Sequence, residues 1–401
     1  SWYVFEIPRH IVYDHWVLFD RKMRHVRGVE LDADLSMHEP INSHPYRWSP
    51  IKCEAGKALI DKFVEQKLCS PSSSPWSSPA LLVMKPKYAN VQLTHELLCK
   101  VDVEDVFRLV VDFRKINLLF VKDTFEPPAC DLCVNWLAGK RYRSVGDLAW
   151  GFHQLLLSER FRLYMTFVTP FGTYTYNRLA MGWVNATAEF QRTINHTLGD
   201  CLWRNAVAMV DDLVVASETA GEHVADLLEV FGKLASRGHS VKPSKVNLFC
   251  DEVDYLGHVS TEDGYSITAK HKEAIARMPY PLEPDGTVNI TSVRSFVGMA
   301  EFCRKHIPHC AWLCAPLNEL TQREGNAVWT HFHALLWDTV KMFVLKAKGL
   351  WHIDYTLPIY VATDGSKRGV GGYVYQLVAG QERVISYYSR QTRAEEKKWD
   401  T

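Results

Sequence analysis

The chain has 401 residues, 47% apolar and 23% charged, with 46 basic side chains balanced by 46 acidic ones. That length accommodates about two or three domains with real cores, and the composition excludes a disordered tail. Zero net charge gives no overall pull towards nucleic acid, so any basic groove must be local, and no apolar run is long enough to span a bilayer. Ten Cys without a disulfide framework suit a reducing, intracellular setting. Opening at Ser1 and closing at Thr401 in a charged stretch, the chain is expected to be a slice of something longer.

In chain order, residues 1–50 lack periodicity and are expected to be an extended lead-in. Lys57 to Leu68 predicts a helix, halted by the Ser/Pro-rich run from Ser70 to Pro79. Ala80 to Met84 predicts a strand, with Leu109 to Val111 as its partner. Phe161 to Tyr176 contains a strand-turn-strand pattern about Pro170-Phe-Gly. Phe190, Ile194 and Leu198 recur every fourth residue before Gly199, which predicts a helix. Val224, Leu227, Leu228, Phe231 and Leu234 form a second helical stripe, closed by Gly238. Tyr255 to Ile267, with Asp263-Gly264 inside, predicts a hairpin, and residues 290–345 are mainly helical. Strands return at Ile359 to Thr363, Gly371 to Gln376 and Val384 to Tyr388, the first two joined by a glycine-rich stretch from Asp364 to Gly372. The expected class is α+β.

Chemistry concentrates between Ala206 and Ser217, where Asp211 and Asp212 stand between two short, Val-rich runs. Such runs read as buried strands, and Asp favours the reversal between them. Neighbouring side chains on a straight strand point to opposite faces, so the pair shares one site only at a hairpin tip. Crowded carboxylates repel unless a cation neutralises them, which points to a hard divalent metal. A hydrated Asp-Asp turn is the other reading of this segment alone. Upstream, Asp147 ends a short strand before Gly151, and a third carboxylate could complete an oxygen cage for two ions.

Leu109-Val-Val-Asp-Phe-Arg-Lys-Ile-Asn, Asp147-Leu-Ala-Trp-Gly-Phe-His-Gln, Phe167-Val-Thr-Pro-Phe-Gly, Asn177-Arg-Leu-Ala-Met-Gly-Trp-Val-Asn-Ala and Met209-Val-Asp-Asp follow one another in order. Together with Pro45-Tyr-Arg-Trp-Ser-Pro, Tyr255-Leu-Gly-His and Ser295-Phe-Val-Gly-Met-Ala, they resemble the reverse transcriptase blocks of a gypsy-type LTR retrotransposon Pol polyprotein. The resemblance implies a right-hand polymerase with an antiparallel palm sheet: fingers and palm over 51–265, a helical thumb and connection over 266–345, and an incomplete RNase H-like α/β domain over 346–401. It places Asp147, Asp211 and Asp212 on the catalytic, metal-binding carboxylates, with two Mg²⁺ or Mn²⁺ ions as cofactor. Lys85, Lys87, Arg108, Phe152, Met181, Gly182 and Lys245 fall on nucleotide-binding positions, with Phe152 excluding a 2′-hydroxyl. Met209, Tyr255, Leu256, Gly257 and His258 fall on primer-binding positions. Asp364 matches the first RNase H carboxylate, and without its partner acids no RNase H activity is expected of this chain.

The activity implied is RNA-directed DNA polymerisation, with an RNA template, a DNA primer/template duplex and dNTPs as partners. The implied setting is a larger polyprotein with protease and integrase, no membrane, a cytoplasmic virus-like particle and a nuclear phase. A degenerate or domesticated fragment that binds nucleic acid without catalysis is the alternative. It is motivated by Met209 in place of an aromatic, by Ala180 and Thr187 in place of prolines, by Glu189 in place of a small polar residue, and by the insertion from Tyr88 to Phe107. An RNA-dependent RNA polymerase is a more distant alternative, because that class carries an acid where Phe152 stands. Cys303, His306, His309, Cys310 and Cys314 have ligand-like gaps, but the helical context disfavours zinc. Cys130 and Cys133 lack a partner pair, His153 is expected to be structural, and Asp112 is expected to pair with Arg114.

Overall fold

The computed structural model describes residues 10–88, 91, 94–322, 327–366, 369–393 and 396. Ala206–Met209 and Asp212–Ser217 fold back as an antiparallel hairpin in which Asp212 faces Met209 and Val215 faces Ala206. Nearly every side chain in both strands is buried, which explains why they are apolar without alternation. The hairpin forms half of a four-stranded sheet ordered Asn247–Cys250, Tyr142–Asp147, Asp212–Ser217, Ala206–Met209.

Two helices pack on that sheet, Ala186–Leu198 and Ala220–Arg237. The first buries Phe190, Ile194 and Leu198, the three residues that predicted it, and ends at Gly199. The second opens with a reciprocal cap between Thr219 and Glu222, which satisfies two backbone donors at once. It closes at Gly238 with φ +81°, where an added Cβ would lie 2.8 Å from the His25 carbonyl oxygen. A side chain there would meet both a strained backbone and a clash.

A second sheet is ordered Cys69–Pro71, Gly172–Tyr176, Thr166–Thr169, Ser78–Met84, Phe107–Val111. Its outer pair is the predicted one, Ser78–Met84 antiparallel to Phe107–Val111. Thr166–Thr169 and Gly172–Tyr176 form the predicted strand-turn-strand, while Phe161 belongs to the helix Glu159–Tyr164 that precedes them. The insertion carries two short helices, His95–Lys100 and Val103–Val106, the second capped by the Asp102 side chain; residues 89, 90, 92 and 93 lie outside the described set. The lead-in is more than an extended arm. Ile11, Leu18, Val26 and Leu35 are buried in the same core as the two sheets, and Glu30–Leu31 pairs in parallel with Leu156–Leu157.

The chain divides into two compact units, residues 1–129 with 144–249, and residues 130–143 with 250–401. In the second, Tyr255 to Ile267 is two successive hairpins instead of one: Val253–Tyr255, His258–Ser260 and Gly264–Ile267. Leu256 at φ +48° and Gly257 at φ +80° make the first reversal, which leaves Asp263-Gly264 to the next. Gly264–Ile267 also pairs with Leu350–Trp351, and the three strands belong with the second unit, although the sequence reading places them, up to residue 265, with residues 51–265. Ile290–Phe302, Cys310–Leu320 and His331–Lys346 supply the expected helical stretch around Phe296 and Trp337.

A three-stranded meander follows, Tyr360–Ser366, Gly369–Val378 and Gln381–Gln391. The glycine-rich stretch is therefore largely strand, not connection, apart from residues 367 and 368, which lie outside the described set. Gly372 shows why glycine stands there, since a Cβ would come 2.5 Å from the Ala362 carbonyl oxygen of the adjacent strand. No described helix is long and apolar enough to cross a membrane.

Candidate active site

The tip of the Ala206–Ser217 hairpin is a two-residue turn, Val210-Asp211. Val210 takes φ +58°, a costly conformation for a β-branched residue. Gln191, wholly buried on the neighbouring helix, holds the turn there: its side-chain oxygen accepts the Val210 N–H at 2.7 Å, and its side-chain nitrogen donates to the Ala208 carbonyl at 2.9 Å. The reversal re-aims the two adjacent carboxylates that a straight strand would send to opposite faces.

Asp147 arrives at the end of the neighbouring strand and is tied in by main-chain bonds. The Leu148 N–H donates to the Asp211 carbonyl, and the Asp147 carbonyl accepts the Lys242 N–H, both at 2.8 Å. Ala149 N–H donates to the Ser240 carbonyl at 2.8 Å, and Leu148 bridges Val241 in antiparallel fashion. The short turn Pro243–Lys245 then brings the Lys245 ammonium onto the Asp147 carboxylate in an ion pair.

Electrostatics follow from this crowding. Burial raises Asp211 above the usual carboxylate range, and the charge of Asp147 adds to it. Asp212 is pushed up to about 6, first by burial and then by the charges of Asp211 and Asp147. Lys245 is raised, mainly by its hydrogen bond to Asp147. The three acids are neighbours without forming a closed cage. Among the described residues, the only trio of His, Cys, Asp or Glu whose donor atoms all lie within 4.8 Å of one another is Asp200, Cys201 and Glu229. That trio is already neutralised by Arg204 and Lys233, and is an ion-pair network at the surface.

The other expected nucleotide residues are distributed. Arg108 is exposed on the strand Phe107–Val111, opposite Val83. Lys85 turns its ammonium to the Glu104 carbonyl at 2.6 Å, and the exposed Lys87 lies over the Tyr88 ring. Among the described residues, no hydrogen bond or ion pair joins these three cations to the carboxylates. Phe152, in the turn Gly151–Gln154, leans edge-on against Phe190. Met181 is half exposed, and Gly182 sits beside it at φ +93°. Met209 precedes the turn and is partly buried.

Tyr255, Leu256, Gly257 and His258 form the tight hairpin of the second unit. His258 is buried there, held over Phe302 and against Tyr265, and burial keeps its ring neutral by lowering its pKa. Asp364 is exposed on Tyr360–Ser366, opposite Gly371. His153 is structural as expected: half-buried, with Nδ1 2.9 Å from the Leu179 carbonyl oxygen and its pKa pushed down to about 4, chiefly by desolvation. Asp112 and Arg114 form the expected pair at 2.7 Å, joined by the Tyr46 hydroxyl. Cys303, Cys310 and Cys314 are buried in the helical core, with the Cys310 and Cys314 sulfurs 4.0 Å apart.

Residues 95–260 match the family described as reverse transcriptase (RNA-dependent DNA polymerase). The chain carries a reverse transcriptase domain. Residues 329–401 match the RNase H-like domain found in reverse transcriptase. Its relatives include retrovirus-related Pol polyproteins of Drosophila melanogaster. That from transposon 412 is 29% identical over 352 residues, 88% of this chain and 27% of the relative. That from transposon opus is 27% identical over 388 residues, 93% of this chain and 37% of the relative. The chain thus spans well under half the length of either.

A solved foamy viral protease-reverse transcriptase in complex with double-stranded DNA has a TM-score of 0.81 at 22% identity, covering 98% of this chain and 66% of its own. Another, in complex with RNA/DNA hybrid, has a TM-score of 0.80 at 21% identity, covering 98% and 51%. The fold is the right-hand polymerase fold with its palm sheet, followed by an RNase H-like domain.

Three residues of the reverse transcriptase domain that position the site lie outside the expected set. Gln191 locks the Asp211 turn. Gln154 accepts the Ser240 N–H at 3.3 Å and donates to the Ser240 carbonyl at 3.0 Å, so it anchors the segment that delivers Lys245. Asn117 donates to the Gly182 carbonyl at 2.9 Å and accepts the Val184 N–H at 3.0 Å, clamping the loop after Met181. A signal existed for Gln191, a polar residue set among Phe190, Ile194 and Leu198 on a buried helix face. For Gln154 and Asn117 the partners lie too far along the chain for spacing to reveal them.

Proposed function

We propose that this chain is an RNA-directed DNA polymerase that extends a DNA primer on an RNA template at Asp147, Asp211 and Asp212. What supports this above all is the main-chain tie from Leu148 to Asp211 and from Asp147 to Lys242, which gathers three acids and one lysine. The donor set fits a hard divalent cation: its side-chain donors are carboxylate oxygens, and two of the acids are half buried and raised by burial and mutual repulsion that positive charge would relieve. Asp147, Asp211 and Asp212 would hold it, as two Mg²⁺ or Mn²⁺ ions. When bound, such ions stabilise the attacking and leaving oxygens of an in-line phosphoryl displacement.

In that reaction the primer 3′-hydroxyl gives up its proton to water as its oxygen bonds to the α-phosphorus of a dNTP, and the bond from that phosphorus to the bridging oxygen breaks to release pyrophosphate. Arg108, with Lys85 and Lys87, offers cations to the triphosphate, the guanidinium as a bidentate fork. Phe152, braced by Phe190, sits under the sugar and shuts out a 2′-hydroxyl. Met181 and Gly182 line the nucleotide pocket, Lys245 serves the triphosphate, and Met209 contacts the primer; in the second unit, the hairpin residues Tyr255, Leu256, Gly257 and His258 are proposed for primer binding on their own. The foamy viral structures bound to double-stranded DNA and to RNA/DNA hybrid support these duplexes as partners. The Pol polyprotein relatives support action within a larger polyprotein; protease and integrase as its neighbours, and a cytoplasmic virus-like particle as its setting, belong to the proposal.

Primer extension on an RNA template with Mg²⁺ or Mn²⁺ tests this directly. Wild-type protein should synthesise DNA and Asp211→Asn should not. Synthesis that survives the substitution, or none from folded wild type, would overturn the proposal.

A further inference from the structure

We propose that Lys245 is a resident counter-ion that competes with a divalent cation for the acidic site, so that without nucleotide the chain binds metal more weakly than its three carboxylates alone would. The inference rests on the reading that Asp147, Asp211 and Asp212 hold the metal, and adds a role for the lysine beside them.

The geometry carries it. The Lys245 ammonium pairs with the Asp147 carboxylate, whose side chain keeps 15% of its exposure against 53% for the lysine. The acid is thus the desolvated partner, and the lysine supplies charge that water cannot. Its backbone does not wander. The Asp147 carbonyl itself accepts the Lys242 N–H, and the Lys245 N–H donates back to the Lys242 carbonyl at 3.0 Å. One end of the ion pair therefore fixes the segment that delivers the other.

The four-carbon stem remains free to swing, and its exposed head can leave without disturbing that backbone. A divalent ion seated on Asp147 would meet a positive charge already held there. It must displace the ammonium or bind beside it, and either outcome weakens binding of the metal alone. Once released, the ammonium is available to an arriving triphosphate.

The test uses the full chain and Mn²⁺ alone, without nucleotide or nucleic acid, reading free Mn²⁺ by its electron paramagnetic resonance signal. Lys245→Met should bind Mn²⁺ about tenfold tighter than wild type, and Lys245→Arg should stay near wild type. Lys245→Gln, which keeps a hydrogen-bonding side chain without charge, should follow Lys245→Met and guards against a packing artefact. Equal or weaker Mn²⁺ binding in both uncharged variants, with Asp211→Asn still abolishing it, would overturn the inference and leave the metal site standing. Mn²⁺ binding untouched by Asp211→Asn would overturn the metal reading and this inference with it.

Discussion

Phe152 and Asp212 show how much a single side chain is asked to do here. Phe152 packs its edge on Phe190 with centroids 5.5 Å apart, so its position is set by a buried helix and not by solvent. Replacing it with Val removes most of the ring while leaving the turn Gly151–Gln154 intact. Phe152→Val should raise ribonucleotide incorporation relative to deoxynucleotide by roughly ten- to a hundredfold, measured as the ratio of kcat/KM values; unchanged discrimination would remove Phe152 from the sugar contact. Asp212 makes a prediction about stability. Its folded pKa, about 6, lies above the value of 3.8 for a free Asp, so the folded state pays for the charge. The penalty is absent below the unfolded value and complete above about pH 6. Two units in a sealed interior would be worth about 3 kcal/mol, and screening at a half-buried group reduces this to about 1 kcal/mol. In chelator, Asp212→Asn should therefore be more stable than wild type at pH 7.5 and equal to it near pH 4, by chemical denaturation. A variant no more stable at pH 7.5 would contradict the crowding described here.

At the scale of elements, the acidic hairpin depends on a helix. Gln191 meets both a donor and an acceptor of the hairpin backbone, and is itself fully buried. Gln191→Leu would preserve volume and helix propensity while leaving the Val210 N–H and the Ala208 carbonyl unpaired. The expected cost is about 2 to 4 kcal/mol in stability, since an unsatisfied buried polar group costs about 1–3 kcal/mol. Polymerase activity should fall further than stability explains, because Val210 would relax from φ +58° and the Asp211 carboxylate would turn with it. Activity proportional to the folded fraction would deny Gln191 this positioning role. The same elements show what the chain discloses before it folds. The buried Leu227, Phe231 and Leu234 of the expected stripe, though not the exposed Leu228, and the strand pair around Leu82 and Leu109 were legible because burial repeats at a regular spacing. The three acids were legible through ordered motifs. The left-handed Val210 was not, because the two-residue turn demands it where no Gly or Asn advertises it, and Gln191 holds it from another element. The lead-in was also opaque, since Ile11, Leu18 and Val26 enter the core singly, without a period. Residues 130–143 join the second unit through pairings far along the chain, such as the Gly139 N–H to the Glu262 carbonyl at 3.3 Å, which no spacing announces.

Over the whole molecule, both units carry histidines folded away in neutral form, and these set its response to acid. In the first unit, His153, His223 and His239 are each pushed down to about 4, with burial the largest cause. His223 lies between the Ser144 and Ser217 hydroxyls at 2.8 and 2.9 Å, and His239 lies 3.0 Å from both Thr197 and Gln154. In the second unit burial holds His306 at about 3 and His352 at about 4. Each folded pKa is depressed below the 6.5 of a free imidazole, so the unfolded chain binds protons that the folded chain refuses. Their contribution is complete above pH 6.5 and is lost as pH falls towards 4, at most about 3 kcal/mol for each fully buried ring. Asp211 and Asp212 work in the opposite sense over part of this range, but they are two groups against five. Stability in chelator should therefore decline between pH 6.5 and 4.5. Calorimetry at pH 5 in buffers of different ionisation enthalpy should show net proton uptake on unfolding, of about three protons. No uptake would mean that these rings are charged inside the fold. The network around His239 and Gln154 would then carry a proton beside the segment that delivers Lys245, and the acidic site would be held by different forces from those described.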